Sequence, residues 1–348
     1  MKPVRVGFVG LGGICRRRHV PGLQRIDGVD IRAVANRSRE SSERAAQEFD
    51  IPEVCDGWMD LVARDSIDAV FIGTWPYMHC PVAVAALNAG KHVFCQARMA
   101  MNEAEAVAMC RKAAETHLVA MVCPVPIGLR IDATIARLIR SGDLGILRLV
   151  RVQSFSDACA DPGAPMTWRK DHRLSGLNMH TLGMYVEVIH RWFGRTNSVS
   201  AMTQTFIKER HDAKGMPVRV EIPDQVLVNT TLEAGFPVQY VFSTVVHQGR
   251  DVIEMYGSEA TLRYDVAKDR LYMGRAAAKA LEPAVIPPEE VYDVENWRVE
   301  RDFIEAIRHG TEYHPDFRDG LRYMQVVQAI YDSAAEQRTV RLAEALPC

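Results

Sequence analysis

Val4-Arg5-Val6-Gly7-Phe8-Val9, followed by Gly10-Leu11-Gly12-Gly13-Ile14-Cys15, is the stretch that decides the fold. It reads as a buried strand running into a glycine turn at the start of a helix. That is the context a dinucleotide-binding fingerprint needs. Gly10 allows a tight turn, and Gly12 lets the backbone approach a pyrophosphate whose charge the helix N-terminus stabilises. Leu11, Gly13 and Ile14 complete the candidate cofactor loop. Cys15 occupies the third-glycine position, where a small residue suffices because that position only sets helix–strand packing.

A second strand, Val29–Ala35, arrives at the expected distance and ends in Asn36-Arg37-Ser38. An acid at this strand end would bind a ribose 2′-hydroxyl, whereas a nearby arginine accommodates a 2′-phosphate. The acid is absent, while Arg37 and Arg39 are present. The expected cofactor is therefore NADP in preference to NAD, with Asn36, Arg37 and Ser38 around the adenosine ribose. Arg16-Arg17-Arg18 reads either as an exposed first helical turn or as mild help for phosphate binding.

The 348 residues suggest two domains, 1–123 and 124–348. With 42 basic and 44 acidic residues and no block of either sign, neither nucleic acid nor a membrane surface is the expected partner. Eight scattered cysteines form no Cys-x-x-Cys pair, and eleven histidines show no ligand spacing, so no metal is expected. No apolar run is long enough to span a bilayer, and a cytoplasmic, reducing environment is the expectation.

Strands at 69–73, 91–95 and 118–123 alternate with helices at 81–89 and 102–116, the latter capped by Asn102. Such units imply a doubly wound parallel sheet with its ligand at the C-terminal strand ends. After Cys123 the pattern changes. A helix over 130–141 precedes strands at 147–156, 199–206, 225–232 and 236–246, with Gly235 as a hairpin turn and late helices at 297–309 and 319–336. Residues 208–220 read as a loop or hairpin tip. The second domain is an α/β unit with a large, open, mostly antiparallel sheet, one face of which needs a helix or another subunit to cover it.

These features, with Ile67–Ile72, Thr74-Trp75-Pro76-Tyr77-Met78-His79, Leu87–Val93, Trp168-Arg169 and Glu254–Ala260, resemble the glucose–fructose oxidoreductase / inositol dehydrogenase / rhizopine-catabolism (Gfo/Idh/MocA) family along essentially the whole chain. The resemblance implies an N-terminal Rossmann domain and a C-terminal domain whose sheet builds homodimers or homotetramers. It implies cofactor contacts from Thr74, Trp75, His79, Gln96, Ala97, Trp168 and Arg169. Trp75 is expected to pack near the nicotinamide.

The departures matter as much. Where the family reads Glu-Lys-Pro, with a lysine that assists proton transfer, this chain reads Gln96-Ala97-Arg98. Arg98 stays protonated and is no base, but it could fix an anionic or polarised oxygen. The family's Asp-x-Gly-x-His becomes Thr181-Leu182-Gly183-Met184-Tyr185. Thr181 and Tyr185 share a helix face, whereas His180 and Tyr185 lie about 140° apart on the wheel unless the helix starts after His180. Tyr185 is then the leading proton-transfer group, provided a cation lowers its pKa, with His180 or Thr181 assisting. His172 reads as a loop histidine. The largely apolar loop 123–129 suggests a substrate less polar on one side than a free sugar, with an anionic group near Arg98. Three functions fit: a nicotinamide-dependent oxidoreductase acting on a carbinol or carbonyl carbon of a small substrate; a redox-neutral enzyme using the cofactor transiently; or a non-catalytic cofactor-binding sensor.

Overall fold

The computed structural model describes residues 2–124, 131–291 and 298–342. The chain forms two compact units, one built from Met1–Pro124 and Trp297–Met324, the other from Val125–Asn296 and Gln325–Leu346. Residues 297–324 thus return to the first unit, which a single cut after residue 123 does not anticipate. Long-range packing of this kind leaves no mark on local periodicity.

In the first unit, β1 (Val4–Val9) leads through a π-helical turn (Cys15–His19) into α1 (Val20–Gln24). There follow β2 (Val29–Ala35), α2 (Arg39–Phe49), β3 (Glu53–Val54), α3 (Trp58–Ala63), β4 (Ala69–Ile72), α4 (His79–Asn88), β5 (His92–Cys95), α5 (Glu103–Ala114) and β6 (Ala120–Val122). The six strands are parallel in the order β3-β2-β1-β4-β5-β6, so the order reverses between β1 and β4. All four residues of β4 are buried, as a strand covered on both faces requires. Asn102 caps α5 by accepting from the Glu105 N–H at 2.9 Å.

The second unit contains α6 (Asp132–Arg140), β7 (Leu147–Phe155), α7 (His172–Ser175), α8 (Leu182–Phe193) and β8 (Thr196–Gln204). A hairpin of β9 (Glu209–His211) and β10 (Pro217–Arg219) fills the segment read as a loop or hairpin tip. Then come β11 (Gln225–Leu232), β12 (Pro237–Ser243), β13 (Asp251–Gly257), β14 (Ala260–Asp265), β15 (Arg270–Arg275) and β16 (Glu282–Pro283). After α9 (Val299–His309) and α10 (Phe317–Glu336) the chain adds β17 (Val340–Arg341). Nine strands form one sheet in the order β16-β15-β14-β13-β7-β12-β11-β8-β17. Every pairing is antiparallel except β7 with β12, which the long intervening chain permits. In β11, Val226, Val228, Thr230 and Leu232 face the core, while Gln225, Leu227, Asn229 and Thr231 face the other way. Gly235, at φ +89°, makes the β11–β12 turn. Strands β13 to β15 escape a reading of apolar runs because Glu254, Arg263 and Tyr272 occupy their outer face.

The core of the first unit is organised by an aromatic row. Phe8, Phe71 and Phe94 sit side by side on β1, β4 and β5, with ring centroids 5.2 and 4.5 Å apart. Phe303 of α9 stands edge-on to Phe71 and Phe94 at 5.2 and 5.6 Å, and His19 meets Phe94 at 5.0 Å. All four phenylalanines are essentially inaccessible. Replacing Phe71 with Ala removes the shared member of these contacts and is expected to destabilise the protein by about 3–5 kcal/mol, read as a lower urea midpoint.

Candidate cofactor and substrate sites

The glycine turn lies at the β1/β4 reversal, where ligands of doubly wound sheets bind. Gly10 is left-handed at φ +79°, and a Cβ there would lie 2.5 Å from Thr74 Cγ2 and 2.8 Å from the Thr74 nitrogen. Gly73 is equally constrained, since its Cβ would meet Cys15 Sγ at 2.3 Å and the Gly10 carbonyl at 2.4 Å. Two loops therefore touch backbone to backbone, and Cys15 fills the remaining space. Burial pushes the Cys15 thiol up to about 12, so it packs as a neutral small group. Gly12 and Gly13 are open by comparison, with nothing closer than 3.5 Å to a Cβ on Gly12 and nothing within 4 Å on Gly13.

Asn36 holds this loop from the β2 end. Its Oδ1 accepts from the Leu11 N–H at 2.7 Å, and its Nδ2 donates to the Ser41 carbonyl at 3.0 Å. The side chain is thereby committed to the protein. Ser38 caps α2, accepting from the Ser41 N–H. Arg39 pairs with Glu43 and Asp56, which removes it from the two-arginine expectation, and Arg16 pairs with Glu48. Arg37 is exposed, has no carboxylate partner among the described residues, and lies over the Trp75 ring at 5.7 Å. One dinucleotide cannot place its adenosine ribose and its nicotinamide at a single spot, so Trp75 sits at the Arg37 end and not at the opposite one. The helix after the turn is π-helical at first, with Ile14 in helical geometry before it.

Thr74 Oγ1 is buried without a hydrogen-bond partner among the described residues, directly beside Gly10. The Thr74 methyl is the side-chain atom that packs against Gly10. His79 is fully enclosed. Its Nδ1 lies 2.8 Å from the Arg98 carbonyl and its Nε2 3.1 Å from the Thr74 carbonyl. Burial lowers its pKa below the usual histidine range. Both ring nitrogens face backbone, so His79 braces the loops after β4 and β5 and presents no free edge to a cofactor. Arg98 is buried. Gln96, whose N–H donates to the Ile72 carbonyl at 3.0 Å, and Ala97 follow β5 at the sheet's C-terminal edge.

In the second unit, Arg169 stacks on Trp168 at 4.4 Å, and the carbonyls of both accept from Ser175 Oγ. The next residue, Lys170, donates from a buried ammonium to Asp224 at 2.7 Å and to the Pro223 carbonyl at 3.1 Å. That buried ion pair pins the Trp168-Arg169 segment to the sheet, and nothing in the local sequence announces it. The helix does begin after His180, since α8 starts at Leu182 and Thr181 flanks it. His180 is half-buried with a left-handed backbone, φ +57°, a strained geometry that clusters at functional sites. Tyr185 is 5% exposed and packs edge-on to Phe242 at 5.5 Å. Burial, with a smaller contribution from Asp251, pushes its phenol well above the usual range. No cation among the described residues lowers it, so the lowered pKa on which its proton-transfer role is conditioned is absent. Of the loop 123–129, read as an apolar substrate wall, residues 125–129 lie outside the described residues.

His314, Asp316 and Asp319 bring ligand-type atoms within 4.8 Å of one another, a grouping not read from the sequence. Each is engaged: Asp316 accepts the Arg318 and Asp319 N–H groups at the start of α10, and Asp319 pairs with His314 and Arg322. Among the described residues no helix is long and apolar enough to cross a membrane.

Residues 4–123 match the model of an oxidoreductase family with an NAD-binding Rossmann fold, and residues 133–263 match the Gfo/Idh/MocA C-terminal domain. Fold and glycine turn together define a nicotinamide-dependent dehydrogenase or reductase. The chain belongs to the Gfo/Idh/MocA family. It is 24% identical to levoglucosan dehydrogenase of Pseudarthrobacter phenanthrenivorans, covering 89% of this chain and 88% of that one. It is 26% identical to D-apiose dehydrogenase of Paraburkholderia graminis, covering 95% and 88%. A solved levoglucosan dehydrogenase in complex with NADH and levoglucosan shares the fold, with a TM-score of 0.88 at 22% identity over 98% of this chain and 100% of that one.

A methyl group at Gly73 has nowhere to go. Gly73→Ala is expected to weaken NADH binding at least tenfold and to lower the melting temperature, because the clash is with the Gly10 carbonyl as well as with Cys15. Fluorescence titration and a thermal melt check both.

Proposed function

We propose that the protein transfers hydride between a nicotinamide and a carbinol or carbonyl carbon of a small, sugar-derived substrate. The observation that carries this reading is the open Gly12–Gly13 cradle at the sheet reversal between β1 and β4. The names of the relatives support the substrate class, being dehydrogenases of levoglucosan and D-apiose. Leu11, Gly12, Gly13, Ile14 and Thr74 would hold the pyrophosphate. Arg37, beside Ser38 and Trp75, would meet a 2′-phosphate, so NADP is accepted at least as well as NAD. When bound, the nicotinamide accepts or supplies the hydride.

The proton must go elsewhere, because Ala97 carries no titratable group. His180 is the assigned proton acceptor in the oxidative direction. Tyr185, kept protonated by burial, donates a hydrogen bond to the reacting oxygen, and Thr181 sits one turn before it on the same face of α8. Trp168, Arg169 and Arg98 are assigned to binding and orientation, with Arg98 directed at an anionic or polarised oxygen. The open face of the nine-stranded sheet, where Arg151, Glu254, Arg263 and Tyr272 line a depression of about 300 Å³, is assigned to self-association.

Binding comes first as a test. The protein should bind NADPH and NADH, and Arg37→Ala should weaken NADPH about tenfold while leaving NADH within about twofold, since only one charged contact is lost. Failure to bind either nucleotide ends the oxidoreductase reading. For the proton step, oxidation needs the unprotonated imidazole, so kcat/KM should fall as pH drops through the histidine range. His180→Ala should remove that limb and cost about 100-fold in kcat. Tyr185→Phe should lower kcat less and leave the limb in place. A His180→Ala enzyme with the wild-type profile sinks the assignment, and product formation without net NADH absorbance change would indicate redox-neutral chemistry.

A further inference from the structure

Behind the glycine turn runs a buried polar chain that the proposed chemistry has not used. Glu300 of α9 and His19 are both essentially inaccessible. His19 Nδ1 hydrogen-bonds Glu300 Oε1, and His19 Nε2 meets the side-chain nitrogen of Gln96. Gly22 leaves room for the carboxylate, since a Cβ there would fall 2.6 Å from Glu300 Oε2. The ring packs against the stacked pair of Phe71 and Phe94, at 5.9 and 5.0 Å.

The chemistry of these groups fixes their hydrogens. An amide nitrogen only donates, so His19 Nε2 is the acceptor, and Nδ1 carries the proton given to Glu300. The amide nitrogen of Gln96 is thereby committed to His19 inside the protein, which fixes the sense of the amide. Its carbonyl oxygen is the part left to face outward, at the C-terminal edge of β5.

From the end of β2, where Arg37 stands, to the end of β5 is three strand spacings, about 14 Å, or roughly the length of a dinucleotide. We propose that the Glu300–His19–Gln96 chain is a positioning relay that aims the Gln96 carbonyl oxygen at the carboxamide N–H₂ of the nicotinamide. This rests on the cofactor reading above. Gln96 is the contacting residue. His19 and Glu300 act through it, selecting the one amide orientation in which an acceptor and not a donor meets the ring.

The test compares NADH with ADP-ribose, which has every part of the cofactor except the nicotinamide. In the unaltered protein both bind. Gln96→Leu and His19→Phe should each weaken NADH about tenfold relative to ADP-ribose, the value of one well-formed hydrogen bond. The double variant should be no weaker than Gln96→Leu alone. Should His19→Phe fail to fold with Glu300 unpaired, the His19→Phe/Glu300→Leu pair, which leaves no buried charge, takes its place. An NADH to ADP-ribose ratio within twofold of wild type in Gln96→Leu overturns the relay, as do losses that add in the double variant. A wild-type protein that binds neither ligand overturns the cofactor reading itself, a result the ratio alone does not give.

Discussion

Everything in the first unit depends on two backbone turns being allowed to touch. The loop after β1 and the loop after β4 meet at Gly10 and Gly73, with no side chain between them. That contact lowers the glycine loop onto the sheet edge and leaves Gly12 and Gly13 exposed to a ligand. It also packs Thr74 against the loop at Gly10. Asn36 closes the other side by bonding Leu11. The loop is thus set by hydrogen bonds and excluded volume before any cofactor arrives, which reduces the ordering entropy that binding must overcome.

The two units treat their polar groups differently. In the first, buried polar side chains brace loops: His79 spans the turns after β4 and β5, and His19 joins α9 to Gln96. In the second, the buried Lys170–Asp224 pair is a fastener. Asp224 also accepts the Phe206 and Ile207 N–H groups, so one carboxylate satisfies three donors from two segments. Burying such a pair yields little net stability, but removing one partner strands the other charge, and the geometry is therefore all-or-none. The left-handed His180 backbone lies ten residues beyond Lys170, and the fastening supplies rigidity against which strain can be held.

Much of the fold was legible because its signals are local. Apolar runs gave β1, β2, β4 and β5, Asn102 marked its helix, and Gly235 marked its turn. The glycine fingerprint marked the turn after β1 for the same reason. What stayed hidden depended on residues far apart. Glu300 is 281 positions from His19, and no periodicity connects them. The charge on Arg39 looked available until α2 and Asp56 were placed beside it. Tyr185 was read as a proton-transfer group from its helix position, on condition of a nearby cation, but its pKa is raised by burial, with Phe242 of β12 against the ring, and by Asp251 of β13. Trp75 was correctly placed at a strand end. Which half of a ligand it would meet required the position of Arg37.

The first unit's split along the chain bears on how the protein is made. A ribosome releases Met1–Pro124 long before α9 exists, and domains assemble as they emerge. Until residues 299–309 appear, the aromatic row lacks Phe303 and His19 faces no carboxylate. The nascent Rossmann sheet therefore waits, with apolar rings uncovered, while more than 170 further residues are synthesised. Its completion is tied to a segment made much later, and a chain truncated before α9 would expose that surface to aggregation.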